Sequence, residues 1–331
     1  MKNSTALHTR RNKTIIIVVA VIALSAVAAI SLMVGKYPLT IEGLISGNTM
    51  QWKVFLNLRL TRVLVGVIGG FALGVAGYVY QTVFRNPLAS PDIIGVASGA
   101  SAGAAAGILF LSGTAAITAT SFAGALIAVV FTIALASIDR TSKNSTTVLA
   151  GIAVHALAQT VLMSLKLVAD PEKELASIEY WIMGSLNGIN LNSAIYNMII
   201  AVVCLVVLFL LHRQTVLLAT EESEAKMLGV SVGRLRLIVL LVATLVVAAV
   251  ISLTGLISFI GLLAPHGARL IMKNNRRSVM WLSGLFGGIL LCVADICARS
   301  VAKTELPISI FTSLVGAPFL IYLIVRERNR T

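Results

Sequence analysis

Apolar positions along this chain do not alternate; they come in runs. Stretches of apolar and small residues recur at roughly 14–34, 61–83, 93–111, 115–137, 147–168, 193–212, 237–258, 260–272, 280–300 and 308–325. Wound as a helix at about 1.5 Å per residue, a run of about 20 residues crosses the roughly 30 Å of hydrocarbon in a bilayer. Lipid offers no partner to a free backbone amide, so such runs are predicted to be helices. The expected fold class is an all-α polytopic membrane protein of about ten transmembrane helices, forming a single transmembrane domain over 1–331.

The polar interruptions orient the spans. With ten spans and a cytoplasmic start, most of the 26 Lys and Arg fall on the cytoplasmic side, as the positive-inside rule requires. The eighth run is short and contains "APHGAR", yet dropping it would move Arg326, Arg328 and Arg330 to the opposite side. Ten spans with both termini cytoplasmic is the better count. The tail 1–13 carries Arg10, Arg11 and Lys13 ahead of a run longer than a signal-peptide core, so the first helix is expected to be retained.

Two outer segments, "GKYPLTIEGLISGNTMQWKVFLNLRLTR" and "DPEKELASIEYWIMGSLNGINLN", have room for short surface helices. On the inner side, the loop 217–236 combines helix formers with an acidic start, Glu221, Glu222 and Glu224, that suits the positive end of a helix. It reads either as a solvated linker or as a docking helix for a cytoplasmic partner.

Composition removes whole classes of function. The chain is 58% hydrophobic and 12% charged, with a mean hydropathy of +0.96, so its net charge of +13 reflects topology rather than a nucleic-acid surface. Cys204, Cys292 and Cys297 all sit inside apolar runs and have neither disulfide-framework nor zinc spacing. The glycine runs "GVIGGFALGVAG" and "SGLFGG" contain small-xxx-small spacing that lets helices approach closely in lipid. No G-x-x-x-x-G-K-[ST] occurs, so the sequence carries no phosphate-cradling loop of that kind.

One polar stretch, "RNPLASPDIIG" at 85–95, interrupts the second and third runs. Pro87 and Pro91 cannot continue a helix and push the residues before them out of the α region. An inner-face turn accounts for it, with Arg85 at the headgroups and Asp92 at the positive end of the third helix.

The full wording goes further. The stretch 58–101, "LRLTRVLVGVIGGFALGVAGYVYQTVFRNPLASPDIIGVASGAS", closely resembles the second and third helices of the FecCD-type permeases. These belong to ATP-binding-cassette systems importing iron–siderophores, haem and cobalamin. "YWIMGSL" at 180–186, "GLISFIGLLAPHGARLI" at 255–271 and "ADICARSVAKTELPISIFTSLVGAPFL" at 294–320 match in order as well. Arg85, Asn86, Pro87, Pro91, Gly95, Pro265, His266 and Arg269 fall on these motifs as structural positions.

The resemblance implies a ten-helix subunit in the cytoplasmic membrane that binds no cofactor itself. Its partners would be a second permease, identical or paralogous, two cytoplasmic ATPases holding ATP and magnesium, and an extracytoplasmic binding protein. Arg59, Arg62 and Arg299 occupy positions where family members meet acidic residues of the binding protein. Snorkelling at the interface is the competing reading, and for Arg299 so is pairing with Asp295 four residues earlier on the same helix face. "SEAKMLGV" at 223–230 resembles the coupling helix, with Glu224, Ala225, Leu228 and Gly229 against the ATPase. A cytoplasmic gate would fall at Asn144, Ser145 and Thr146.

His266 has no companion ligand nearby in the sequence and reads as a packed histidine. The chain's four His form no cluster with Cys or carboxylates, which favours a cargo already chelated over a free metal ion. An iron(III)–siderophore is the first expectation, with haem or cobalamin the alternative. An ion-coupled secondary transporter is the rival of another class, and it would need ionisable groups at membrane depth, for which Asp295 is the acidic candidate.

Overall fold

A computed structural model describes residues 2–35, 37, 39–111, 113–138, 144–220, 227, 231–272, 276–302 and 304–328. The helices are α1 Lys2–Met33, α2 Ile41–Ile45, α3 Thr49–Val54, α4 Thr61–Val83, α5 Val96–Phe110, α6 Thr114–Ile138, α7 Asn144–Val168 and α8 Glu174–Ile182. They continue with α9 Leu191–Leu210, α10 His212–Leu217, α11 Val232–Thr254, α12 Ile260–Met272, α13 Arg276–Ser300 and α14 Ile308–Arg328. Seven helical stretches are long and apolar enough to cross a membrane, and Val96–Phe110, Ile260–Met272 and Ile308–Tyr322 are shorter apolar helices. Together they fall on the ten runs read from the sequence. The fold class stands: all-α and polytopic.

Local chemistry sets the ends. Asn48 Oδ1 accepts from the amides of Met50 and Gln51 at the start of α3, at 3.0 and 3.3 Å. Asn190 does the same for Asn192 at the start of α9, at 2.9 Å, each satisfying donors that a helix start leaves free. Asp170 Oδ1 takes the amides of Glu172 and Lys173 ahead of α8, both at 2.9 Å. The short helices α2, α3 and α8 occupy the two segments where the sequence leaves room for them.

Between α3 and α4 a π-turn, Phe55–Leu60, keeps the axis running, so Thr49–Val83 is one continuous helix of 35 residues. At about 1.5 Å per residue this is longer than the hydrocarbon is thick. The surplus, α3, lies at the end where α1 finishes.

Two groups of helices emerge. α4 packs against α13, α12, α11 and α9, while α5 packs against α6 and α7, and α11 bridges the groups. The α4–α13 contact depends on missing side chains: a Cβ on Gly70 would lie 2.5 Å from the Gly287 carbonyl oxygen, and one on Gly74 would strike that of Ser283. The sequence reading of the glycine runs as close-packing stripes holds. Phe209 stacks on Trp281 with centroids 4.4 Å apart, and Phe71 meets both, closing the seam between α4, α9 and α13.

Several expected boundaries shift, two of them for reasons visible in the backbone. The third span begins at Val96 rather than 93, because Pro91–Ile94 forms a 3-10 turn ended by Gly95 at φ 79. The seventh ends at Thr254 rather than 258, because Gly255 turns out of the helix at φ 70. The Gly255 position also leaves no room for a Cβ, which would strike the Trp181 carbonyl oxygen.

Candidate functional site

At the end of the bundle where α1 finishes and α4 begins, charged side chains lie inside the protein. Arg62 gives Nε to Asp295 Oδ1 at 2.7 Å and its two terminal nitrogens to Glu305 at 3.2 and 3.0 Å. Asp295 holds Arg299 through its other oxygen at 2.9 Å, within one helical turn. Asp295 is only 1% exposed. Burying such charges is costly unless each is paired in good geometry, and here both oxygens of the carboxylate are occupied by guanidinium.

The same cations close α1. Arg299 also donates to Ser31 Oγ at 2.7 Å and the Val34 carbonyl at 2.8 Å. Arg59 donates to the carbonyls of Leu32 and Met33 at 2.7 and 2.8 Å, and to that of Tyr37. The last carbonyls of a helix lack intrahelical partners and carry its negative end, so two guanidiniums satisfy and neutralise them together.

The three arginines expected at a docking surface are largely buried here. Arg59, Arg62 and Arg299 are 6, 9 and 6% exposed, and each is engaged within the chain. The alternative weighed for Arg299, pairing with Asp295, is the arrangement present. What remains open is a recess of about 210 Å³ lined by Arg59, Arg62, Arg299 and Glu305 together with Asn57 and Asn187.

Beside that recess, sharing Asn187, Gly188 and Ile189 with it, lies a vestibule of about 780 Å³. It is bounded by the end of α5, the start of α6, α8, the start of α9 and the last turn of α11. Its wall mixes hydroxyls and amides, such as Ser177, Ser185 and Asn187, with Tyr180 and Trp181. Its floor is pinned where Ser185 N donates to the Thr254 carbonyl at 2.7 Å and Ile308 N to that of Gly184 at 3.0 Å. Ser252 Oγ donates to Asn197 Oδ1 at 3.2 Å, joining α11 to α9 behind it. The volume is of the size that takes a small organic ligand.

At the opposite end, Arg85 adopts a left-handed φ of 51 and donates to the carbonyls of Leu218, at 3.1 Å, and Thr220. It thus ties the turn after α4 to the segment after α10. Asn86 Oδ1 accepts from Leu88 N at 2.9 Å around Pro87. Pro91 opens the 3-10 turn, and Asp92 lies in that turn rather than at the first turn of α5.

Pro265 is buried within α12, and the His266 ring meets Phe319 edge-on at 5.5 Å, a packed histidine. Arg269 donates to Gln81 Oε1 and lies over the Tyr78 ring at 5.7 Å. Asn144 and Ser145 open α7 and Thr146 is half-buried. Glu224, Ala225, Leu228 and Gly229 lie outside the described residues. Sequence reasoning missed the vestibule and the Tyr80–Thr244 hydrogen bond of 2.6 Å across α4 and α11. Polar residues inside apolar runs were the available signal for the second.

Comparison with known proteins agrees with this architecture. The FecCD transport family model matches residues 16–326. The chain is 38% identical to the cobalamin import system permease BtuC of Halobacterium salinarum over 82% of this chain and 73% of that protein. It is 33% identical to the hemin transport system permease HmuU of Yersinia pestis over 86% and 87% of the two. A solved structure, described as a metal-chelate type ABC transporter in an inward-facing conformation, superimposes with a TM-score of 0.86 at 30% identity, covering 94% of this chain and 99% of that one. The chain belongs to the FecCD transport family.

Proposed function

We propose that this chain is the membrane-spanning permease subunit of an ATP-binding-cassette importer, and that its cargo is an iron(III)–siderophore complex. The observation that carries the reading is the vestibule: wide, and lined mostly by hydroxyl, amide, aromatic and aliphatic groups, with Glu172 and Lys173 its charged lining residues. Among the described residues no three His, Cys, Asp or Glu side chains come together as a metal-binding group. Such a wall suits a cargo whose metal is already wrapped by its chelator, which needs many weak contacts and no ligand exchange.

In this reading a binding protein docks over the recess and vestibule, delivering cargo to a path between this chain and a second permease. Acidic side chains of that partner would reach the recess where Arg59, Arg62 and Arg299 converge. Two ATPases engage the opposite end through Glu224, Ala225, Leu228 and Gly229, and Asn144 to Thr146 close the path on that side. ATP is hydrolysed on those partners, and the movement reaches the spans as rigid-body displacement.

Cobalamin is the second reading, favoured by the 38% identity to a cobalamin import permease. Uptake by the reconstituted complex decides: ATP-dependent accumulation of ferric siderophore, with haem and cobalamin at background, is expected. Preference for cobalamin replaces the cargo assignment alone. Accumulation driven by a proton gradient without ATP overturns the importer assignment as well.

A further inference from the structure

Two stretches leave helical geometry inside the bundle. After α4 ends at Val83 the chain turns at Phe84–Arg85, then runs back until Pro91 and Asp92 meet Leu73, midway along α4, and Val247 and Ile251 of α11. Facing them is the break between α11 and α12, where Phe259 holds a left-handed φ of 67. A large side chain rarely adopts that conformation, and strained backbone of this kind concentrates at functional positions.

Between the two breaks lies a cavity of about 230 Å³ lined by Ser90, Pro91, Asp92, Ser258 and Phe259, with Leu73, Val247 and Ile251 behind them. Asp92 is its one ionisable lining residue, and its side chain is exposed rather than sealed in packing. His155 of α7 is the neighbouring ionisable group. Tyr80 is committed elsewhere, donating to Thr244, whose own hydroxyl donates to the Leu240 carbonyl.

A carboxylate set between two helix breaks requires compensation, and discontinuous helices supply it in many transporters by turning carbonyl oxygens toward an ion. At about 30 Å³ per water, the cavity has room for an ion and part of its hydration shell. The ligands are all hard oxygens, and they carry a single negative charge.

We propose that Asp92, with Ser90 and Ser258, forms a site between the two helix breaks for a partly hydrated monovalent cation. Occupancy would bridge the 86–95 turn to the 255–259 break, so the ion favours whichever conformation keeps the two together. The site is independent of the cargo assignment.

The test is equilibrium binding of radioactive sodium to the full chain in lipid nanodiscs, in N-methylglucamine buffer at constant ionic strength, with potassium as competitor. Wild type is expected to bind saturably. Asp92→Asn is expected to lose at least about tenfold in affinity and Ser258→Ala a smaller factor, as loss of a charged partner outweighs loss of a neutral one. Competition by potassium tells a general monovalent site from a sodium-selective one, and both agree with the proposal. If Asp92→Asn does not fold, the Ser90→Ala/Ser258→Ala double variant replaces it. Absence of saturable binding in wild type, or binding unchanged in the folded variants, overturns the site.

Discussion

The helices α4 and α7 both cross the bundle, and both were legible as apolar runs, yet they live in different surroundings. In the membrane-length window that contains α4, 78% of residues are buried within the chain; in that of α7 only 22% are. Buried α4 spends its surface on glycine, with Gly70 and Gly74 set directly against the backbone of α13. Exposed α7 turns Ile152, Leu157, Val161 and Met163 outward. Hydropathy marks both as spans because lipid and protein interior are alike in being apolar. Only the size of the side chains tells them apart.

That difference breaks most visibly under enlargement. Gly74→Leu is expected to drive a side chain into the Ser283 carbonyl and abolish folding, a cost of about 4 kcal/mol or more. Ala153→Leu on the exposed face of α7 should be nearly silent. Denaturant titration of both variants in nanodiscs checks the pair, and equal sensitivity would erase the distinction.

Charge sharpens the same contrast. Asp295→Asn strands Arg62 and Arg299 inside the protein and is expected to cost about 3 kcal/mol or more. The Lys166–Glu179 pair, 2.8 Å apart and partly exposed, should change stability by less than about 1 kcal/mol when Glu179 becomes Gln. Tyr80→Phe, removing one interior hydrogen bond, belongs between them at about 1 to 2 kcal/mol. The smallest effect is expected from Val161→Ala on α7, within about 0.5 kcal/mol for the chain alone. A larger loss on adding the second permease would identify α7 as covered in the assembly.

Much of this was written in the sequence, for identifiable reasons. Long apolar runs are unambiguous because the bilayer fixes their length, and the doubtful eighth run became α12 where charge bookkeeping had placed it. The extended stretch at 85–95 was visible through Pro87 and Pro91, but its return into the bundle was not, since proline forbids a helix without saying where the chain goes next. The arginines show the limit most sharply. Arg59 and Arg62 stand at the edge of a run, where residue type and position fit a docking surface equally well. Their burial depends on Asp295 and Glu305, more than two hundred residues away, and on the end of α1. No local pattern encodes such partners; the Asp295–Arg299 spacing alone gave a local hint.

The double grip on the end of α1 carries a consequence of its own. Arg59 and Arg299 hold backbone oxygens of Leu32, Met33 and Val34, so apart from Ser31 the clasp is blind to which amino acids stand there. Each added or deleted residue upstream would rotate those oxygens by about 100°. The side chains at 32–34 can therefore be respelled while the register of this span stays locked.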